Sequence, residues 1–152
     1  MASTISNAAL TVTITETLNI NGSNHGSTKQ MTISGVNEVS KRIMTCATTP
    51  GTQIYKGGSA AAYGTFVTDN VKYLRITNLD NENYVVLHFS DESANYAQFT
   101  LLAGHVFILT DVSSSFDAGQ AAVADFSAAN ITRIDSMANT AAVDIEIMVA
   151  SA

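Results

Sequence analysis

Three histidines, one cysteine and thirteen acidic residues are the groups with which this chain could do chemistry. His88 sits between Leu87 and Phe89 and points away from both, while His105 opens the next apolar stretch. Facing strands could bring the two imidazoles together, with Asp91 or Asp111 nearby. A metal centre, however, needs ligands that converge at a characteristic spacing, and these four have none. Asp80 and Glu82 have the residue types of a glycosidase acid pair, but they stand in an asparagine-rich stretch where such side chains cap turns. Asp144 and Glu146 alternate with branched residues, which places them on the outer face of a strand. Ser113, Ser114 and Ser115 lack the elbow motif of a nucleophilic serine. Gly57 and Gly58 are followed by neither a Walker lysine nor Rossmann spacing. Cys46, in the run IMTCA, reads as a small buried hydrophobe. The expectation is a protein that is not an enzyme and uses no cofactor and no metal.

Binding chemistry is better represented. Tyr63, Tyr84 and Tyr96, together with Asn81, Asn83 and Asn95, are types that stack on and hydrogen-bond sugars or anchor a protein interface. Tyr73 lies opposite Leu74 and is expected to pack across strands. The candidate interface residues are Ser3, Thr4 and Ile5 of an aperiodic arm over residues 1–9, with Tyr63, Tyr84 and Tyr96.

These residues are carried on strands. From Val71 to Ser115 the apolar positions recur at every second residue: Leu74 and Ile76, then Val85, Leu87 and Phe89, then Phe99 and Leu101, then Phe107 and Leu109. Lys72, Arg75, His88 and Gln98 fall outside these rows. Asn78, Asp80, Asn81, Glu82 and Asn83 suit a polar hairpin loop, and Ala103-Gly104 suits a tight reversal, so the four strands read as an antiparallel meander. Upstream, Leu10, Val12 and Ile14 alternate with threonines and pair across NGSNHGS with residues 29–36. Residues 39–47 offer apolar side chains to both faces, so both faces are expected to be covered. Thr49-Pro50-Gly51 is a turn, and residues 57–64 form a surface loop. Residues 118–126 have room for one short helix. Ile131–Met137 and Ala142–Ala150 return to strand, the latter with Val143, Ile145, Ile147 and Val149 on one face. The fold class is therefore all-β: a two-sheet antiparallel β-sandwich of about eight to ten strands, with a flattened barrel as the alternative, jelly-roll-like connections among the permitted wirings, and at most one short helix. Residues 10–152 are expected to make one domain.

Charge narrows the partners. Seven basic residues against thirteen acidic give a net charge of −6, and only Lys41 and Arg42 are adjacent, which argues against direct nucleic-acid binding. MASTISN has neither a basic region nor an apolar core, and no apolar run is long enough for a membrane helix, so a soluble compartment and no membrane partner are expected. With one cysteine, an intrachain disulfide cannot form. Charged residues make up only 13 % of the chain, about half the usual share. Such a thinly charged exterior suits contact with other protein, in a homo-oligomer. A secreted or cell-surface domain with a Thr/Ser/Asn-rich skin is the alternative.

Three stretches, KYLRITNLDNENYVVLHF, QFTLLAGHVFIL and ITRIDSMANTAAVDIEIMVAS, together resemble the small β-rich structural proteins of tailed bacteriophages, over residues 71–150. The shared pattern is a strand ending in a polar N-x-D turn, a strand of alternating apolar residues, an L-x-A-G reversal and a final strand pair. The resemblance implies a noncatalytic virion component present in many copies, of capsid decoration (cement) or other head–tail type. Its implied partners are itself, with a trimer favoured, and the major capsid or other virion proteins. A receptor- or glycan-binding module of a tail fibre or cell surface is the alternative function.

Overall fold

The computed structural model describes residues 6–91, 95–110, 115–116, 126–127 and 131–152. In chain order the strands are β1 (Ala8–Thr15), β2 (Asn19–Ile20), β3 (Ser23–Asn24), β4 (Thr28–Val36), β5 (Glu38–Cys46), β6 (Thr52–Gly58), β7 (Phe66–Val67), β8 (Val71–Asn78), β9 (Val85–Ser90), β10 (Tyr96–Leu101), β11 (Val106–Leu109), β12 (Ser115–Phe116), β13 (Phe126–Ser127), β14 (Arg133–Ala138) and β15 (Val143–Ser151). Among the described residues the one helical element is a 3-10 turn at Thr68–Asn70. The short helix expected within residues 118–126 falls almost wholly outside the described residues; β13 begins at its last position.

Two sheets face each other. One runs β10-β9-β14-β6-β7 and the other β11-β8-β15-β5. Taking β5, β6, β8, β9, β10, β11, β14 and β15 in turn, the chain changes sheet at every connection except β9 to β10, which is the eight-strand wiring of a jelly roll. The alternating residues meet between the sheets: Leu74 and Ile76 of β8, Val85, Leu87 and Phe89 of β9, and Val143, Ile145, Ile147 and Val149 of β15 are all buried. Phe89, Phe107 and Phe99 continue this core as a tilted aromatic series with 5.2 Å between successive ring centroids. Cys46 is fully buried, and burial pushes its thiol above the ordinary range, as expected of a packing residue.

The meander is corrected. β8 pairs with β11 and β15, whereas β9 pairs with β10 and β14, so the four strands are divided between the two sheets. Alternation determines which face of a strand is apolar, and both sheets present the same kind of inner face to one core, so alternation is silent about pairing partners. The side chain of Asn78 marks the crossing. Its amide donates to the carbonyls of Asn83 (2.9 Å) and Leu101 (3.2 Å), and its Oδ1 accepts the Asp80 N–H (2.9 Å). The end of β8 is thereby tied both to the loop leaving it and to the end of β10 in the opposite sheet.

A third layer comes from the N-terminal hairpin. β1 pairs with β4 from Leu10↔Ile33 to Thr15↔Thr28, as the threonine-striped alternation predicts. Within it, β2 and β3 turn at Asn21-Gly22, both with positive φ, the backbone that a two-residue hairpin demands. Leu10, Val12 and Ile33 lie against Tyr73 and Ala150 on the outer face of the β11-β8-β15-β5 sheet, with Val36, Ile108 and Met148. This cover explains why Tyr73 is buried although it faces away from the main core. It does not extend over β5, where Val39 and Ile43 are exposed, so the second face of that strand is open and not covered as expected.

β15 lies between β5 and β8, and Ile145 is fully buried at its centre. Replacing Ile145 by Asp buries an unpaired carboxylate or releases the strand, and should cost at least about 3 kcal/mol, a large part of the stability of an ordinary domain. Asn78→Ala leaves two carbonyls without their donor and should cost about 2 to 4 kcal/mol. Urea unfolding of both variants checks the two figures; loss of less than about 1 kcal/mol for Asn78→Ala would show that the crossing is held by other contacts.

Candidate interface

The three candidate tyrosines occupy three separate places. Tyr63 stands fully exposed in the loop between β6 and β7. Tyr84 is 38 % exposed at the start of β9, where its carbonyl accepts the Asn139 N–H. Tyr96 is 62 % exposed at the first position of β10. Because β9 and β10 run antiparallel with Tyr96 opposite Ser90, Tyr84 and Tyr96 lie at opposite ends of the ladder, about 20 Å apart at 3.4 Å per residue. No common tyrosine cluster forms. Ser3, Thr4 and Ile5 lie outside the described residues, and β1 begins at Ala8, inside the stretch expected to be an arm.

Tyr96 has a built environment. Its ring stacks on His88 with centroids 5.2 Å apart and planes 12° from parallel, and the Gln98 amide lies 3.3 Å from His88 Nδ1. Across β9, Asp135 of β14 stands opposite His88, and its carboxylate accepts the Arg133 Nε–H at 2.6 Å, which holds the guanidinium more basic than usual. Gln98, His88 and Asp135 thus form a polar cross-strand row on the outer face of the five-stranded sheet. His88 and His105 stand on different sheets: His105 precedes β11 of the other sheet, with its Nδ1 2.8 Å from the Ala103 carbonyl. Among the described residues no three His, Cys, Asp or Glu side chains gather as metal ligands, and no helix is long and apolar enough to cross a membrane.

The acidic residues have structural partners. Asp80 accepts the backbone N–H groups of Asn83 and Glu82, both at 2.7 Å, and these bonds hold its carboxyl below the usual range. Asp144 accepts the Thr45 hydroxyl at 2.6 Å. Glu146 takes Lys41 (3.1 Å) and Arg75 on the outer face of the four-stranded sheet, and Lys41 first, then Arg75, hold its carboxyl low.

Exposed apolar side chains mark surfaces that sequence reasoning did not single out. Ile14, Leu18 and Ile20 lie at the far end of the N-terminal hairpin, beyond the part that covers Tyr73. Val39 and Ile43 lie on β5, and Phe99, Leu102 and Val106 lie where β10 and β11 form one side of the sandwich. Their apolar types were legible in sequence; that the fold leaves them uncovered was not.

A carboxylate whose folded pKa is depressed contributes stability above its unfolded pKa and loses it as pH falls through the folded value. Glu146 and Asp80 both have this sign, so the protein should lose stability from about pH 4 downward. Glu146→Gln should flatten that loss while lowering stability slightly at pH 7. Denaturant midpoints of the two proteins between pH 7 and pH 3 test this; parallel curves would remove Glu146 from the account. No family model, curated protein or solved structure matches this chain.

Proposed function

We propose that the protein is a non-enzymatic structural component of a virion, of capsid decoration or other head–tail type, which stabilises an assembly through contacts between subunits. The observation that carries this reading is the apolar tip of the N-terminal hairpin: Leu18 and Ile20 are about half exposed, on a projection whose base already completes the cover over Tyr73. Exposed apolar residues concentrated on one projection suit burial by a partner. The thinly charged exterior acts in the same direction, since few ions would have to be stripped of water on assembly. The jelly-roll wiring, a scaffold used by viral capsid domains, supports it by analogy alone. The partners in this reading are further copies of the chain and other virion proteins.

A receptor- or glycan-binding module is the second reading, favoured by the exposed Tyr96 ring beside His88 and Gln98. An aromatic face next to an amide and an imidazole matches the apolar face and hydroxyls of a sugar. Glycan-array binding that disappears in Tyr96→Ala would favour this module over the virion component.

The double variant Leu18→Asp, Ile20→Asp should stay within about 0.5 kcal/mol of the parent, because both side chains are solvent-exposed. Its incorporation into virus particles should fall severalfold, measured by quantitative mass spectrometry of purified particles beside a denaturant melt of the isolated protein. Absence of the parent protein from purified particles would overturn the virion reading, and normal incorporation of the double variant would remove the hairpin tip from it.

A further inference from the structure

We propose that β10 is a pairing edge that joins two copies of the chain antiparallel about a two-fold axis, so that the five-stranded sheets of both run on as one. This rests on the assembly reading above and supplies it with a specific contact between copies. Among the described residues β10 ends its sheet. The phase of its hydrogen bonds follows from its neighbours. The Asp91 N–H donates to the Asn95 carbonyl at 3.2 Å, so in the register Ala97↔Phe89, Phe99↔Leu87 and Leu101↔Val85 the same residues turn their backbone groups toward β9. On the far side of β9, the Asn139 N–H donates to the Tyr84 carbonyl at 3.2 Å, which turns Val86, His88 and Ser90 toward β14, in agreement with that phase. The backbone N–H and C=O groups of Tyr96, Gln98 and Thr100 therefore point out of the sheet edge.

Such a row is a template for another strand, and natural sheets blunt it with charge, proline or brevity. The other edges of the two sandwich sheets are blunted, and the uncharged β1 belongs to the separate two-stranded hairpin sheet. β5 carries Lys41 and Arg42, β11 has four residues and β7 has two. β10 has six residues, YAQFTL, with no charge, proline or glycine. Self-pairing of β5 centred on Arg42 would set two guanidinium groups against each other, whereas β10 opposes no charges in any self-pairing.

The chain's own copy fits this edge in one register. A two-fold axis through Gln98 keeps the core faces of both sheets on the same side and makes three doubly bonded pairs: Tyr96 with Thr100, Gln98 with Gln98, and Thr100 with Tyr96. The two Gln98 amides, each donor and acceptor, meet their own kind. On the core side, Ala97 of each copy falls opposite Phe99 of the other, so the Phe99 ring, 42 % exposed in one chain, gains a small neighbour to lie against.

Sedimentation velocity over a concentration series should show the full chain as a reversible dimer. Gln98→Pro removes an N–H that bonds to no other strand among the described residues, at a sheet edge where proline is tolerated, and should weaken association at least tenfold with an unchanged circular dichroism spectrum. Thr100→Lys should weaken it similarly through two introduced charges, and decides the matter if Gln98→Pro fails to fold. Gln98→Cys should form a covalent dimer under mild oxidation, because the paired Cα atoms lie about 5.5 Å apart, while Ala97→Cys should not. A parent chain that stays monomeric, association unaffected by Thr100→Lys, or a cross-link with Ala97→Cys and none with Gln98→Cys would overturn the proposal. The virion reading fails separately: a β10 dimer absent from purified particles sinks that reading and leaves the edge contact standing, while a particle-bound protein without the dimer does the reverse.

Discussion

The fold depends on a polar side chain in an apolar place. Asn78 is buried where β8 ends, and its amide group meets the needs of three backbone groups at once: two carbonyls, from Asn83 and Leu101, and the N–H of Asp80. A buried amide left unbonded costs more than a good hydrogen bond contributes, so the asparagine either makes all of these bonds or disrupts the site. Here it makes them, and the chain is committed to leave one sheet and enter the other. Arg42 performs a comparable task across the sandwich, donating from β5 to the Ile54 carbonyl of β6 at 2.7 Å. Both links join elements of opposite sheets, so the apolar core is framed by directional bonds at its two sides.

Sequence made the faces legible and left the neighbours illegible. Val143, Ile145, Ile147 and Val149, Val85, Leu87 and Phe89, and Leu74 and Ile76 fall to the core by their period of two, and all are buried there. The all-β sandwich follows from counting such strands. The meander failed because a strand with one apolar face fits either sheet, and the six residues from Leu79 to Tyr84 are long enough to cross between sheets. The same limit explains β5. Its two apolar faces were visible, but which of them is covered depends on where the N-terminal hairpin lands, a contact between distant parts of the chain. That hairpin sits over Tyr73 and Ala150 and leaves Ile43 63 % exposed.

For the candidate interface the division is similar. Tyr63, Tyr84 and Tyr96 were chosen by type, and all three are exposed, yet they mark separate parts of the surface because spacing along the chain says little about distance across a sheet. The uncharged composition of residues 96–101 was equally visible, although it acquires meaning only when the topology puts that strand at an edge. An identical sequence in the middle of the sheet would be an ordinary interior strand.

Edge chemistry and net charge act at different ranges, and their balance decides how such a protein meets its own copies. At −6, two chains repel when far apart, but ions screen this beyond about 8 Å at physiological salt. At contact, what matters is the charge on the touching strands. Lys41 and Arg42 make β5 unfavourable to itself, while β10 offers backbone groups, a glutamine amide and an exposed phenylalanine without any ion to desolvate. In the proposed dimer, such a chain stays dispersed through its overall charge and associates through the long edge of the sandwich that carries none. The orientation of that association is then fixed by hydrogen-bond phase and by the fit of Phe99 to Ala97, so apolar area alone does not determine it.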